Sequence, residues 1–282
     1  MNIEKAYATG YIVSTDGTKI GYRQLGRGPS LVLMHGGLQA SQSLMLLATA
    51  MSDEYTVYVP DRRGRGLSGP LGENYSIRRE CEDLGALLDK TGAQDVFGLS
   101  SGALITLHSA LHLPSIRKIA LYEPPLSITP VLNKFMPRYE REIAEGKIVS
   151  AFITIIKGLG ISPLLNLMPR FIMLPFLKLA TRYGKEPEGD VPLHELIPTF
   201  QDDDFLIRET AETFQTFENV SAKSLIMGGS KSPDYFKVII GKLAAIMPGA
   251  RSMEFAGLDH SGPDDGGKPA IVAEELRRFF RA

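Results

Sequence analysis

Tryptophan is absent from this chain of 282 residues, and cysteine occurs once, at Cys81. A lone thiol forms no internal disulfide and is too little for a structural zinc site, which suits a reducing compartment. Charge of one sign is missing as well: 31 Lys and Arg face 32 Asp and Glu, a net charge of −1, so nothing favours a nucleic acid. The opening Met1-Asn2-Ile3-Glu4-Lys5-Ala6-Tyr7 lacks the basic, apolar and small-residue order of a secretory signal, and the cytoplasm is the expected compartment. The longest apolar stretch, 148–169, is broken by Lys157, Gly158, Gly160 and Pro163, short of the about 20 residues a membrane span needs. What is present, 44% hydrophobic and 22% charged residues, describes a globular chain able to bury a large core.

Short apolar runs alternate with helix-like stretches from Tyr7 to about Pro125. Tyr7–Ser14 and Lys19–Leu25 flank Asp16-Gly17 and predict a hairpin, and Leu31–Met34, Tyr55–Val59, Asp95–Leu99 and Ile116–Tyr122 predict further strands. Between 126 and 214 the apolar residues are dense but never alternate, which predicts a helical insertion. The strand and helix rhythm then resumes with Lys223–Met227, Pro233–Met247, Arg251–Phe255 and Pro269–Phe280. The expected domains are therefore a core of 1–125 with 215–282, and a cap of 126–214.

Gly98-Leu99-Ser100-Ser101-Gly102 fits G-x-S-x-G between a strand and a helix, the setting in which a serine hydroxyl is raised above a sheet edge for nucleophilic attack. Leu31–Met34 runs into His35-Gly36-Gly37, a loop whose backbone approaches a reacting group closely; the N–H groups of Gly37 and Ser101 are the candidate oxyanion donors. His35 is assigned to holding that loop. Past the last strand, Gly257-Leu258-Asp259-His260-Ser261-Gly262 offers His260 as general base. His108 and His112, at i and i+4, lack the Glu of H-E-x-x-H and a third ligand, and read as ordinary helix residues. No metal or cofactor is expected.

In these motifs and their order the chain resembles the α/β-hydrolase superfamily. The resemblance implies a mostly parallel eight-stranded sheet flanked by helices, with a helical cap, and Asp61-Arg62-Arg63-Gly64-Arg65-Gly66-Leu67-Ser68 looks like the family's loop after the fourth strand. That loop is structural in such proteins; Asp61 is the expected partner of the arginines, in place of an anion site.

The acid that orients the histidine departs from the commonest family pattern. After Lys223–Met227 the chain reads Gly228-Gly229-Ser230-Lys231-Ser232-Pro233-Asp234, with Ser232 where an Asp is expected. Asp234 is explained as the start of a helix capped by Ser232. Glu123, closing Ile119–Tyr122 before Pro124-Pro125, has few structural reasons to stand at the edge that carries Ser100, and branches resembling haloalkane dehalogenases and some lactonases keep their acid there. Glu123 is preferred, Asp234 is the alternate, and Asp259 and Asp264 stay open.

The expected function is cofactor-free serine hydrolysis of a small to medium apolar ester or lactone, a small-molecule substrate. Met136, Phe152, Met168, Phe171, Met173 and Phe176 in the cap are open between lining a pocket and packing the cap. The same constellation serves acyl transfer, C–C hydrolysis, haloperoxidation and cyanohydrin cleavage. A non-catalytic small-molecule receptor is the alternative from another class, and an interfacial lipase would need an exposed apolar cap surface.

Overall fold

The inner strands of the sheet bury most of their residues, whereas the strands at its two ends are largely exposed. The computed structural model describes residues 7–127, 132–160, 166–183, 187 and 189–282. Strands β1 (Ala8–Val13) and β2 (Lys19–Gly26) form the expected hairpin, closed by Asp16 Oδ1 accepting the Thr18 N–H at 2.9 Å. Then come β3 (Ser30–Met34), β4 (Thr56–Pro60), β5 (Asp95–Leu99), β6 (Lys118–Tyr122), β7 (Lys223–Gly229) and β8 (Arg251–Phe255). The eight strands lie in the order β1-β2-β4-β3-β5-β6-β7-β8; β1 and β2 run antiparallel to each other, β2 pairs antiparallel with β4, and the remaining pairs are parallel.

Parallel neighbours require crossovers, and helices provide them on both faces. Helices α1 (Met45–Met51), α2 (Ile77–Thr91) and α3 (Ser101–His112) follow β3, β4 and β5. The inner strands sort their side chains with the two-residue period of the pleat. Val32, Val96, Ile119, Leu121 and Ile226 join α2 and α3 in one buried cluster. Leu31, Leu33, Phe97, Ala120, Tyr122, Leu225 and Met227 join α1 in the other.

Between β6 and β7 the described regular structure is helical: α4 (Met136–Ala144), α5 (Ile148–Leu159), α6 (Arg170–Tyr183), a single turn at Leu193–Leu196 and α7 (Phe200–Glu209), with short 3-10 turns. Phe135, Met136, Tyr139, Ala151, Ile155, Ile197 and Phe200 form its own small core. Helix α8 (Asp234–Ile246) adds Phe236, Ile239 and Leu243 to the first cluster, and α9 (Pro269–Arg281) adds Val272, Leu276 and Phe280 to the second. The ends of β3, β5 and β6 are thus neighbours, and His35, Ser100 and Glu123 each stand one residue past such an end, where ligands of open parallel sheets bind.

Candidate active site

The bend at Ser100 depends on what its neighbours lack. A Cβ at Gly98 would lie 2.5 Å from the Gly102 oxygen, and one at Gly102 would lie 2.4 Å from the Met34 oxygen, so neither position admits a side chain. Ser100 sits between them at φ 52°, its N–H donating to the Tyr122 oxygen at 2.8 Å. Left-handed backbone in a non-glycine residue costs about 1–3 kcal/mol and persists where the surroundings impose it. Four described non-glycine residues have positive φ, and three of them, Leu38, Ser100 and Glu123, stand at this edge.

Glu123 is fully buried. Its Oε1 accepts the Gly229 N–H at 2.7 Å, and its Oε2 is 2.6 Å from His260 Nδ1. A carboxylate removed from water needs such partners, and both of its oxygens have one. The imidazole also stacks on Phe236 at 4.8 Å between ring centroids, so that its plane is held from two directions. Donation from Nδ1 to the carboxylate leaves Nε2 as the ring's proton acceptor.

Asp234 lies elsewhere. Its side chain is 95% exposed at the start of α8 and meets Lys237 at 3.5 Å. The alternate acid is therefore not brought to His260, and Ser232 is not the helix cap: Pro233 occupies that place, and the Ser232 N–H turns back to the Gly229 oxygen. Asp259 accepts the Ser261 N–H within its own loop. Asp264 does reach the site, where Gln39 donates to it at 3.3 Å and burial pushes its carboxyl up to about 6, against the lowering effect of the Gly266 N–H and of His260.

On the opposite side, Gln39 Oε1 takes the Gly36 N–H at 2.9 Å, whereas the N–H groups of Gly37 and Ser101 meet no acceptor among the described residues. His35 is fully buried with Nδ1 2.9 Å from the Gly36 oxygen, while Nε2 accepts the Arg62 N–H at 3.1 Å. Burial, reinforced by Arg65 and Arg62, holds its pKa well below the ordinary histidine value, as a neutral strut for the loop requires.

Asp61 is not the partner of the arginines. Its carboxylate accepts the N–H groups of Ser41 and Leu67. Arg62 instead donates to Glu80, to Asp203 at 2.6 Å and to Ser101 Oγ at 3.0 Å; Arg65 reaches Asp203 at 2.9 Å, and Arg63 binds Asp83 and Asp16. Asp203 comes from α7, in the helical segment after β6. Burial alone would raise its carboxyl, but Arg65 and Arg62, with hydrogen bonds from Arg62 and Ser101, hold it well below the usual carboxylate range. A Cβ on Gly37 would lie 2.8 Å from Asp203 Oδ2, so this carboxylate backs the donor loop directly. Nothing local marks Asp203 in the sequence; the run Asp202-Asp203-Asp204 in an otherwise apolar segment is the one available signal.

Ser100, His260 and Gly37 line a cavity of about 720 Å³ whose polar side carries Gln39, Lys231, Asp264 and Lys268. The same three residues also line a chamber of about 60 Å³ walled by Leu126, Ile207, Phe236 and Ile239. Among the described residues Ser100 makes no hydrogen bond to His260, a looseness common in sites without substrate. Of the six apolar residues singled out between β6 and β7, only Phe152 lines the cavity; Met136 and Met173 are buried, Met168 is half-buried, and Phe171 and Phe176 face solvent.

His108 packs edge-on against Phe217, with burial lowering its pKa to about 4, and the described residues contain no group of His, Cys, Asp or Glu arranged for a metal ion. Cys81 is buried, which pushes its thiol up to about 12. No described helix is long and apolar enough to cross a membrane.

A family model for the α/β hydrolase fold matches residues 29–266. The chain belongs to the α/β-hydrolase family. A cis-3-alkyl-4-alkyloxetan-2-one decarboxylase of Shewanella oneidensis is 25% identical over 288 residues, covering 93% of this chain and 86% of that protein. The crystal structure of an α/β hydrolase from Sphaerobacter thermophilus superposes with a TM-score of 0.77 at 28% identity, covering 96% of this chain and 100% of that one. Est816, an N-acyl homoserine lactone degrading enzyme, shares the fold with a TM-score of 0.71 at 20% identity, covering 96% and 100% of the two chains.

Proposed function

We propose that this α/β hydrolase cleaves a carboxylic ester or lactone through an acyl-enzyme, with Ser100 as nucleophile, His260 as general base and Glu123 as the orienting acid. The observation that carries this reading is the Glu123–His260 pair at 2.6 Å, facing the cavity that Ser100 lines. Nε2 takes the serine proton as Oγ bonds to the substrate carbonyl carbon, and the buried carboxylate stabilises the imidazolium. The N–H groups of Gly37 and Ser101 receive the oxyanion, Ser101 as the first helical residue with no intrahelical acceptor. Collapse of the intermediate expels the alcohol with the proton from Nε2, and a water activated by the same nitrogen then releases the acid. In this reading residues 126–214 form the cap.

The two chambers divide the substrate. About 60 Å³ of apolar space is under half of the ~150 Å³ cavity that holds a benzene, so the chamber suits a short acyl chain. The larger cavity, with Lys231, Asp264 and Lys268 on its walls, suits a bulkier and more polar alcohol portion. Ring esters stay within the class, since the printed names of two relatives refer to an oxetan-2-one and to acyl homoserine lactones. The test is a series of p-nitrophenyl esters from acetate to decanoate with wild type and Ser100→Ala. Turnover should peak at short acyl chains and fall by about 10³-fold or more in the variant. Undiminished turnover in Ser100→Ala would refute the nucleophile assignment.

A further inference from the structure

Two loops line the cavity around Ser100, one after β3 with Gly36, Gly37 and Gln39, the other after β8 with His260 and Asp264. Their strands are not neighbours: β5, β6 and β7 stand between β3 and β8. The ladder of the sheet therefore does not set the distance between the loops, and hydrogen bonds between them must. Three join the two regions among the described residues. The Asp265 N–H donates to the Ser43 oxygen at 2.9 Å and the Leu46 N–H to Asp265 Oδ1 at 2.8 Å, both toward α1. Closer to the reacting groups, Gln39 Nε2 donates to Asp264 Oδ2 at 3.3 Å.

Gln39 is held at both ends of its amide. Its Oε1 accepts the Gly36 N–H at 2.9 Å, and its backbone oxygen accepts Arg65 Nη1 at 3.3 Å. Asp264, at the other end, is itself fixed by the Gly266 N–H on Oδ1 at 2.9 Å. An amide has one acceptor end and one donor end, so this chain of bonds runs in one direction only. A link of 3.3 Å contributes little to stability, and the two bonds of Asp265 already fasten the loops. What the link adds is place, since it reaches the residue next to the Gly37 N–H.

We propose that Gln39 and Asp264 are positioning residues, an assignment that rests on Ser100 as nucleophile. Their hydrogen bond holds the Gly36–Gly37 loop in register with the His260 loop, so that oxyanion donor and base meet Ser100 together. Since the oxyanion exists only after attack, a displaced Gly37 N–H lowers kcat and leaves KM nearly unchanged.

Moving the carboxylate from one end of the bridge to the other tests this. Gln39→Glu sets two carboxyl groups together. Gln39→Glu/Asp264→Asn leaves one, with the new amide donating to the new carboxylate and the N–H groups of Gly36 and Gly266 still accepted. Burial already pushes the Asp264 carboxyl up to about 6, and a second carboxyl beside it raises one of the pair further. In Gln39→Glu a shared proton thus keeps the bridge at low pH and is lost as pH rises. The other titratable groups around Asp264 are His260, Asp259 and Asp265 of its own loop and Tyr122 of β6, and Lys231 and Lys268 share the cavity wall. All of them are unchanged in these variants, so a ratio to wild type at each pH isolates the pair.

kcat and KM of Gln39→Ala, Gln39→Glu and the double variant are measured on one soluble ester from about pH 6 to about pH 9, beside Ser100→Ala. Gln39→Ala should lose about 10–100-fold in kcat at every pH with KM within about twofold, and Gln39→Leu replaces it if it does not fold. Gln39→Glu should start near wild type at about pH 6 and lose about tenfold by about pH 9; the double variant should recover that tenfold and show no trend with pH. Wild-type kcat in Gln39→Ala, or a double variant no faster than Gln39→Glu at about pH 9, would overturn the bridge while Ser100-dependent turnover stands. Undiminished turnover in Ser100→Ala would overturn the serine reading and the bridge with it.

Discussion

The two walls of the cavity are built in opposite ways. On the acid side Glu123, His260 and Gly229 come from the ends of β6 and β7 and the loop after β8, and one carboxylate satisfies one ring and one N–H. On the donor side the loop of Gly36 and Gly37 is backed by a buried set of ions, Arg62, Arg65, Glu80 and Asp203, of which Asp203 belongs to the helices between β6 and β7. The first wall is a short local device. The second ties the sheet edge to the helical segment between β6 and β7, so its geometry depends on how that segment packs.

Replacing one carboxylate oxygen by an amide nitrogen in each wall separates them. Glu123→Gln keeps the shape but loses the charge that holds the imidazolium, and kcat should fall by roughly 10²–10⁴-fold, whereas Asp234→Asn should stay within about twofold of wild type. Steady-state kinetics on one soluble ester checks both. If Asp234→Asn alone loses activity, the acid side has been misassigned.

Asp203→Asn strips Arg65 of its carboxylate and leaves Arg62 with one carboxylate, Glu80, in place of two. Uncompensated buried charge costs about 3–5 kcal/mol, so urea unfolding should show a loss of that size. A change under about 1 kcal/mol would mean that the donor side is not held by its ions. A smaller effect on stability, with a larger one on rate, should follow Gly37→Ala. Its methyl would crowd Asp203 and shift the loop, lowering kcat by about 10–100-fold with little change in KM.

The smallest effect concerns Asp264, between the two walls. Burial raises its carboxyl from 3.8 to about 6, so the folded state favours the protonated form. The stability this contributes is complete below about pH 4 and is lost as pH rises through about 6. Asp264→Asn should therefore gain in Tm relative to wild type between pH 4 and pH 7, and a difference in Tm that does not vary with pH would contradict that sign.

The sheet was legible because most of its strands are short runs rich in apolar residues set between turn residues, and the eight observed strands match the predicted runs. Ser100, His260 and Gly37 were legible because each sits in a short motif with recognisable flanks. Glu123 could be preferred from one oddity, a carboxylate closing a buried strand. Asp203 could not, since 141 positions separate it from Arg62 and no periodicity relates them. Asp61, adjacent in sequence to the arginines, looked like their partner and instead serves backbone N–H groups of its own loop. For the apolar residues between β6 and β7 the sequence leaves pocket and packing open, since composition does not say which side of a helix faces the cavity; Phe171 and Phe176 do neither and face outward.

All of this depends on Ser100 as the atom that becomes acylated. A fluorophosphonate probe followed by peptide mapping in a mass spectrometer measures that directly. One adduct per chain on the peptide containing Ser100, absent from Ser100→Ala and slowed in Glu123→Gln, is the predicted result. An adduct on any other residue, or labelling that persists unchanged in Ser100→Ala, would contradict the account.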